Sequence, residues 1–181
     1  MNLSAAARIA AYGLAMLAAA VPALARSESP RVVADSWREP LEHAAAALAN
    51  DDPLTAQRAW EQAYRSAVHA RATEGLLAVG HAYLRIGEAA RDRSTAVARA
   101  RRIFLIALFQ ARERREAAAV AAAAAAFASL GDREIADRGF QIAIAVATER
   151  GDTTARERIA TLQTEAAETP IPALLPLALN R

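Results

Sequence analysis

Cysteine and lysine are both absent from the 181 residues. Without cysteine there is no disulfide, no thiol chemistry and no lipid-modified cysteine at a cleavage site. Without lysine, all 22 basic residues are arginine, set against 20 acidic ones for a formal net charge of +2. The sequence pI near 9.6 therefore reflects the basicity of a small guanidinium excess, not a strong positive field, and it does not point to nucleic acid. Glycine is also scarce: seven scattered residues cannot form a phosphate-cradling loop or a dinucleotide fingerprint. No serine elbow is present. The three histidines (His43, His69 and His81) have no metal-ligand spacing with one another or with a carboxylate motif. These gaps predict a chain with no catalytic residue, metal or cofactor, and so not an enzyme.

What the chain does have is alanine. Hydrophobic residues make up 54% of it but aromatics only 5%, and alanine carries most of the difference. Alanine is the best helix former and lets helices approach closely, so the composition predicts an all-α fold. Each buried alanine removes little apolar area from water. The few large side chains must then act as anchors.

The N-terminus reads as an export signal. Arg8 precedes an apolar stretch at 9–20, Pro22 follows, and Ala23-Leu24-Ala25 places small residues at both cleavage subsites. Cleavage after Ala25 is expected, giving a periplasmic or secreted bacterial protein. An uncleaved anchor is the alternative, but the run is shorter than the ~20 residues a span needs. Residues 26–35 lack apolar periodicity and read as a flexible leader. A helical domain is expected over 36–168. Ser36 and Glu39 suggest a capping box, Asp52-Pro53 a restart, Gly87 a stop, Ser94 a cap, and Gly131-Asp132 and Gly151-Asp152 paired stops and caps. Gly139, inside a helical stripe, predicts a close helix approach. The tail 169–181 holds Pro170, Pro172 and Pro176 among apolar residues, and it is expected to dock in a groove or along the last helices.

Residues 74–144 repeat a pattern. The first helices place Leu76 or Leu77, Val79-Gly80, Tyr83 and Gly87 where the next unit has Val120, Ala123-Ala124, Phe127 and Gly131. The second helices match Ala100, Phe104 and Ala107 with Ala136, Phe140 and Ala143, preceded by Ala56, Trp60 and Ala63. This pattern resembles the tetratricopeptide repeat, a two-helix hairpin with a period near 34 residues. The resemblance implies antiparallel helical hairpins stacked as a short solenoid, ended by a closing helix. Tyr83, Phe104, Phe127 and Phe140 would lie in the core. Trp60 to Phe104 spans 44 positions (104 − 60) and Phe104 to Phe140 spans 36 (140 − 104), so the middle unit is long, with its excess expected around 88–96. The proline usual near the end of each unit is missing, and a 40–47-residue HEAT-class repeat is the alternative.

In that family the first helices line a concave groove. Carried over, the groove would show Leu41 and Leu48, then Leu77, His81, Leu84 and Arg85, with Arg38, Ala45 and Glu74 beside them. Ala118, Ala121, Ala125, Ala128 and Ser129 would either complete it or simply be buried. An apolar groove of this kind suits an amphipathic helix or extended peptide. The expected function is a non-enzymatic scaffold or adaptor of the bacterial cell envelope that binds a protein or peptide there. The expected partners include neither nucleic acid nor, after cleavage, the membrane. Self-assembly into a homo-oligomer and small-ligand binding between hairpins are the alternatives. The arginines between Arg91 and Arg115 read either as a solvated helix face or as an anion site.

Overall fold

In the computed structural model the described residues are 35–168. The expected signal (1–25), nearly all of the leader and the tail 169–181 lie outside them. Seven helices and no strand occupy the described residues: α1 (Arg38–Ala49), α2 (Pro53–His69), α3 (Thr73–Ala89), α4 (Arg93–Glu113), α5 (Ala117–Ser129), α6 (Arg133–Glu149) and α7 (Thr153–Glu168). The fold is an all-α array of helical hairpins, α1–α2, α3–α4 and α5–α6, closed by α7. The most extensive packing is within hairpins, and the odd-numbered helices also pack on one another in the order α1, α3, α5, α7.

All six turns are built alike. Each helix ends at a residue in the left-handed region: Asp51, Arg71, Arg91, Arg115, Gly131 and Gly151, with φ between 50° and 85°. The amide after each one donates to the carbonyl five residues back, as in Asp52 to Ala47 (3.0 Å), Asp92 to Gly87 (2.8 Å) and Asp132 to Phe127 (3.1 Å). The left-handed residue's own amide bonds three residues back, so orphan carbonyls at the helix end are satisfied in the Schellman pattern. The next helix begins two residues later. Three of these begin under an aspartate cap, with Asp52 accepting from the Thr55 amide (3.0 Å), Asp92 from Thr95 (3.3 Å) and Asp152 from Ala155 (2.8 Å).

Some local expectations change. The residue before α1 is Trp37, which makes no side-chain capping bond. Trp37 is buried instead, with its indole against Gly75, where an added Cβ would sit 2.8 Å from the ring. Asp92, not Ser94, caps α4; the Ser94 hydroxyl donates to the same carboxylate at 3.4 Å. Gly87 does not stop α3. It lies inside the helix, where Ala96 of α4 takes the space a side chain would need. The excess of the middle unit does fall within 88–96, as an added first turn of α4: Phe104 is the twelfth residue of its helix, whereas Trp60 and Phe140 are each the eighth of theirs. Helices α2, α3 and α6 have 17 residues each, α4 has 21 and α5 has 13. α4 is thus longer by about one helical turn and α5 shorter by about one.

The core forms two apolar clusters with α4 between them. Ile103 and Ala107 face a first cluster with Trp37, Trp60, Leu76 and Val79. Ala100, Phe104, Leu108 and Ala111 face a second with Val120, Phe127, Phe140 and Ile159. Trp60, Phe104, Phe127 and Phe140 are buried, whereas Tyr83 is only half-buried, tilted against Trp60 at 4.4 Å. The Trp60 indole N–H donates to the Val79 carbonyl at 2.7 Å and so ties α2 to α3. Glycines set the closest approaches: Phe104 occupies the space where a Gly80 side chain would stand, and a Cβ on Gly139 would lie 2.7 Å from that of Ala124.

Two stability outcomes follow from this geometry. Helix propensity alone would make Gly139→Ala stabilising by about 1 kcal/mol. The obstructing Ala124 Cβ is fixed to backbone and cannot swing away, so overpacking reverses the sign, with a net loss of about 1–3 kcal/mol in denaturant unfolding. Conversely, exposed Arg91 holds a conformation that disfavours a Cβ. Arg91→Gly is expected to raise the melting temperature by about 2–4 °C, equivalent to about 1 kcal/mol.

Candidate functional site

The six expected groove residues lie on the odd-numbered helices. Leu41 and Leu48 of α1 are half-buried against the first core cluster, Leu84 of α3 against the second, and Leu77 against both. His81 and Arg85 are exposed. A cleft of about 340 Å³ opens among the starts of α1, α3 and α5, walled by Trp37, Leu77, Ala119 and Ala122 and rimmed by Glu74, Arg114 and Glu116. Leu77 is in it; Leu41, Leu48, His81, Leu84 and Arg85 are not among its walls. The alanines are offset from the carried-over pattern as well. Ala121 and Ala128 are buried and cannot touch a partner, while Ala119 and Ala122 line the cleft.

The large exposed apolar side chains lie on the other helices. Among the described residues, Leu54 and Val68 of α2, Leu105, Ile106 and Phe109 of α4, and Ile135 of α6 are exposed. All six are on even-numbered helices. Phe109 is 53% exposed, Leu105 40% and Ile135 38%. Between α4 and α6 the side chains of Leu108, Phe109, Ile135 and Ile142 line a cleft of about 320 Å³. Arg112, Arg138 and Glu134 rim it, giving two positive charges against one negative. Neighbouring exposed apolar residues that share a cleft are characteristic of contact surfaces, whereas single ones are ordinary. The signal available in the sequence was the surplus of apolar residues in Ile103–Phe109, more than one buried helix face can absorb.

The arginines between 91 and 115 do not all gather at one site, and several have separate carboxylate partners. Arg101 makes a two-pronged pair with Asp132 (2.6 and 2.9 Å), whose hydrogen bonds raise the Arg101 pKa above its ordinary value. Asp132 thereby joins α4 to the start of α6 and makes no side-chain capping bond there. Arg93 pairs with Glu88, Arg114 with Glu116 and Arg115 with Glu149. Arg99 behaves differently. Its guanidinium lies over the rings of Trp60 (4.6 Å) and Tyr83 (5.0 Å).

Among the described residues, no group of three or more His, Asp or Glu could hold a metal, and no helix is long and apolar enough to cross a membrane. His43 and His69 are exposed. His81 tilts against Phe104 at 4.9 Å; partial desolvation, aided by the charge of Arg85, lowers its pKa below the usual 6.5. Comparison with protein-family models, curated proteins and solved structures yields no match to this chain.

The lowered His81 pKa sets the sign of a pH effect. The unfolded chain takes up this proton more readily than the folded one. His81 therefore contributes stability above about pH 6.5 and loses it as the pH falls. Between about pH 7.5 and about pH 5.5, the melting temperature of the wild type should drop more than that of His81→Gln.

Proposed function

We propose that this protein is a tetratricopeptide-like, non-enzymatic scaffold of the bacterial cell envelope that binds a segment of another envelope protein. The envelope assignment rests on the N-terminal charge, apolar run and cleavage pattern. The binding role rests on one observation: exposed Phe109 of α4 and exposed Ile135 of α6 line one apolar cleft between these two helices. Hydrophobic burial of Phe109, Leu105 and Ile135 would supply the affinity. Arg112 and Arg138 on the rim favour acidic residues beside the partner's apolar anchor. An amphipathic helix or a short apolar strand fits a cleft of this size.

This reading moves the principal contact from the odd-numbered helices to the even-numbered ones. Leu77 is half-buried and already packed on both core clusters, so it has less apolar area to offer a partner than Phe109.

Selection of a displayed peptide library on the full chain tests the proposal. Enriched peptides should carry a bulky apolar anchor next to acidic residues. Phe109→Ser, made at an exposed position, should weaken a selected peptide about tenfold or more, while the milder Leu77→Ala leaves its affinity unchanged. Absence of enrichment, or dependence on Leu77 in place of Phe109, would refute this assignment. So would concentration-dependent self-association that Phe109→Ser abolishes, because the face would then serve assembly of the protein with itself.

A further inference from the structure

A second cleft, of about 570 Å³, lies between α2 and α4 and is lined by Tyr64, Thr95, Ala98, Arg99, Arg102 and Ile103. The geometry points to this cleft as a binding site for a small oxyanion, a carboxylate or phosphate group held between the guanidinium groups of Arg99 and Arg102.

Trp60 organises the site from below. It is fully buried, and its one hydrogen-bond donor is committed to the Val79 carbonyl. Tyr64 stacks on it nearly parallel (5.4 Å, 5° between planes), and Tyr83 and Arg99 complete its surroundings. The Arg99 guanidinium is thus held by ring faces. Aromatic faces attract a cation without neutralising it and leave its N–H edge free to donate. Arg101, Arg114 and Arg115 of the same stretch each have a carboxylate partner. No ion pair to Arg99 or Arg102 occurs among the described residues, and no carboxylate lines the cleft. The nearby Asp92 carboxylate already accepts from the Thr95 amide and the Ser94 hydroxyl.

Arg99 and Arg102 are three positions apart on one helix and therefore share a face. Two guanidinium groups on one wall, one of them pre-positioned, suit an anion with several oxygens, because charge-assisted bonds to such oxygens are short and strong. Tyr64 and Thr95 add neutral hydroxyl groups to the walls. The site is separate from the apolar cleft between α4 and α6 and shares no lining residue with it.

The test is an NMR titration of the full chain with inorganic phosphate and, separately, with citrate. Chloride at matched ionic strength is the control. Signals of the Arg99 and Arg102 Nε–H groups and of the Trp60 indole N–H should shift and saturate with at least one oxyanion. Comparing the two titrations tells whether phosphate or carboxylate is preferred. Arg102→Gln, at an exposed position, should weaken binding about tenfold, and Arg99→Gln should abolish it. Shifts that chloride reproduces, that never saturate, or that survive Arg102→Gln with a folded spectrum would overturn the site.

Discussion

Phe104 can be buried only because position 80 carries no side chain. Its ring fills the volume that a Cβ on Gly80 would claim. From there it reaches Phe127 edge-on at 6.2 Å and His81 at 4.9 Å. A chain this rich in alanine has few large groups to exclude water, so each ring must be used fully. Close approach of α3 and α4 places Phe104 on one side of α4 while Ile103 and Ala107 reach the other. One helix thereby joins two core clusters into a continuous array.

Uniform turns and unequal helices then determine the rest of the surface. Six identical terminations lock neighbouring helices antiparallel, even where arginine or aspartate must adopt a conformation better suited to glycine. The small α5 is buried along most of its length and carries no charged side chain. Packing of this kind consumes the apolar face of the odd-numbered helices. The even-numbered helices have apolar residues to spare, which is why Leu105, Phe109 and Ile135 emerge into solvent. The scaffold role we propose rests on that imbalance.

The helices were legible from period and alanine content, and so was the burial of Phe104, Phe127 and Phe140. Gly131-Asp132 and Gly151-Asp152 announced their turns because glycine takes the left-handed conformation readily. Arg71, Arg91 and Arg115 occupy the same position without any such signature, since nothing in an arginine marks it as a helix terminator. Gly87 shows the opposite failure: a packing glycine and a stopping glycine look alike in sequence, and only the proximity of Ala96 tells them apart. Trp37 stands just before α1, and the partner that buries it, Gly75, is 38 residues away and not visible along the chain. Asp132 occupies a capping place after Gly131, but the pull of Arg101, 31 residues away, is not visible along the chain. The exposed apolar cleft between α4 and α6 is the least legible feature. In sequence Arg99 is indistinguishable from its solvated neighbours, and only the Trp60 and Tyr83 rings beneath it set it apart.

The central claim is that alanine and glycine seams let aromatic rings sit between helices. Nuclear Overhauser contacts from the Phe104 ring protons test it most directly. The account predicts strong contacts to the Gly80 Hα protons of α3 together with contacts to the Phe127 ring of α5. A Phe104 ring with solvent-like shifts and contacts only to residues of its own helix would contradict it.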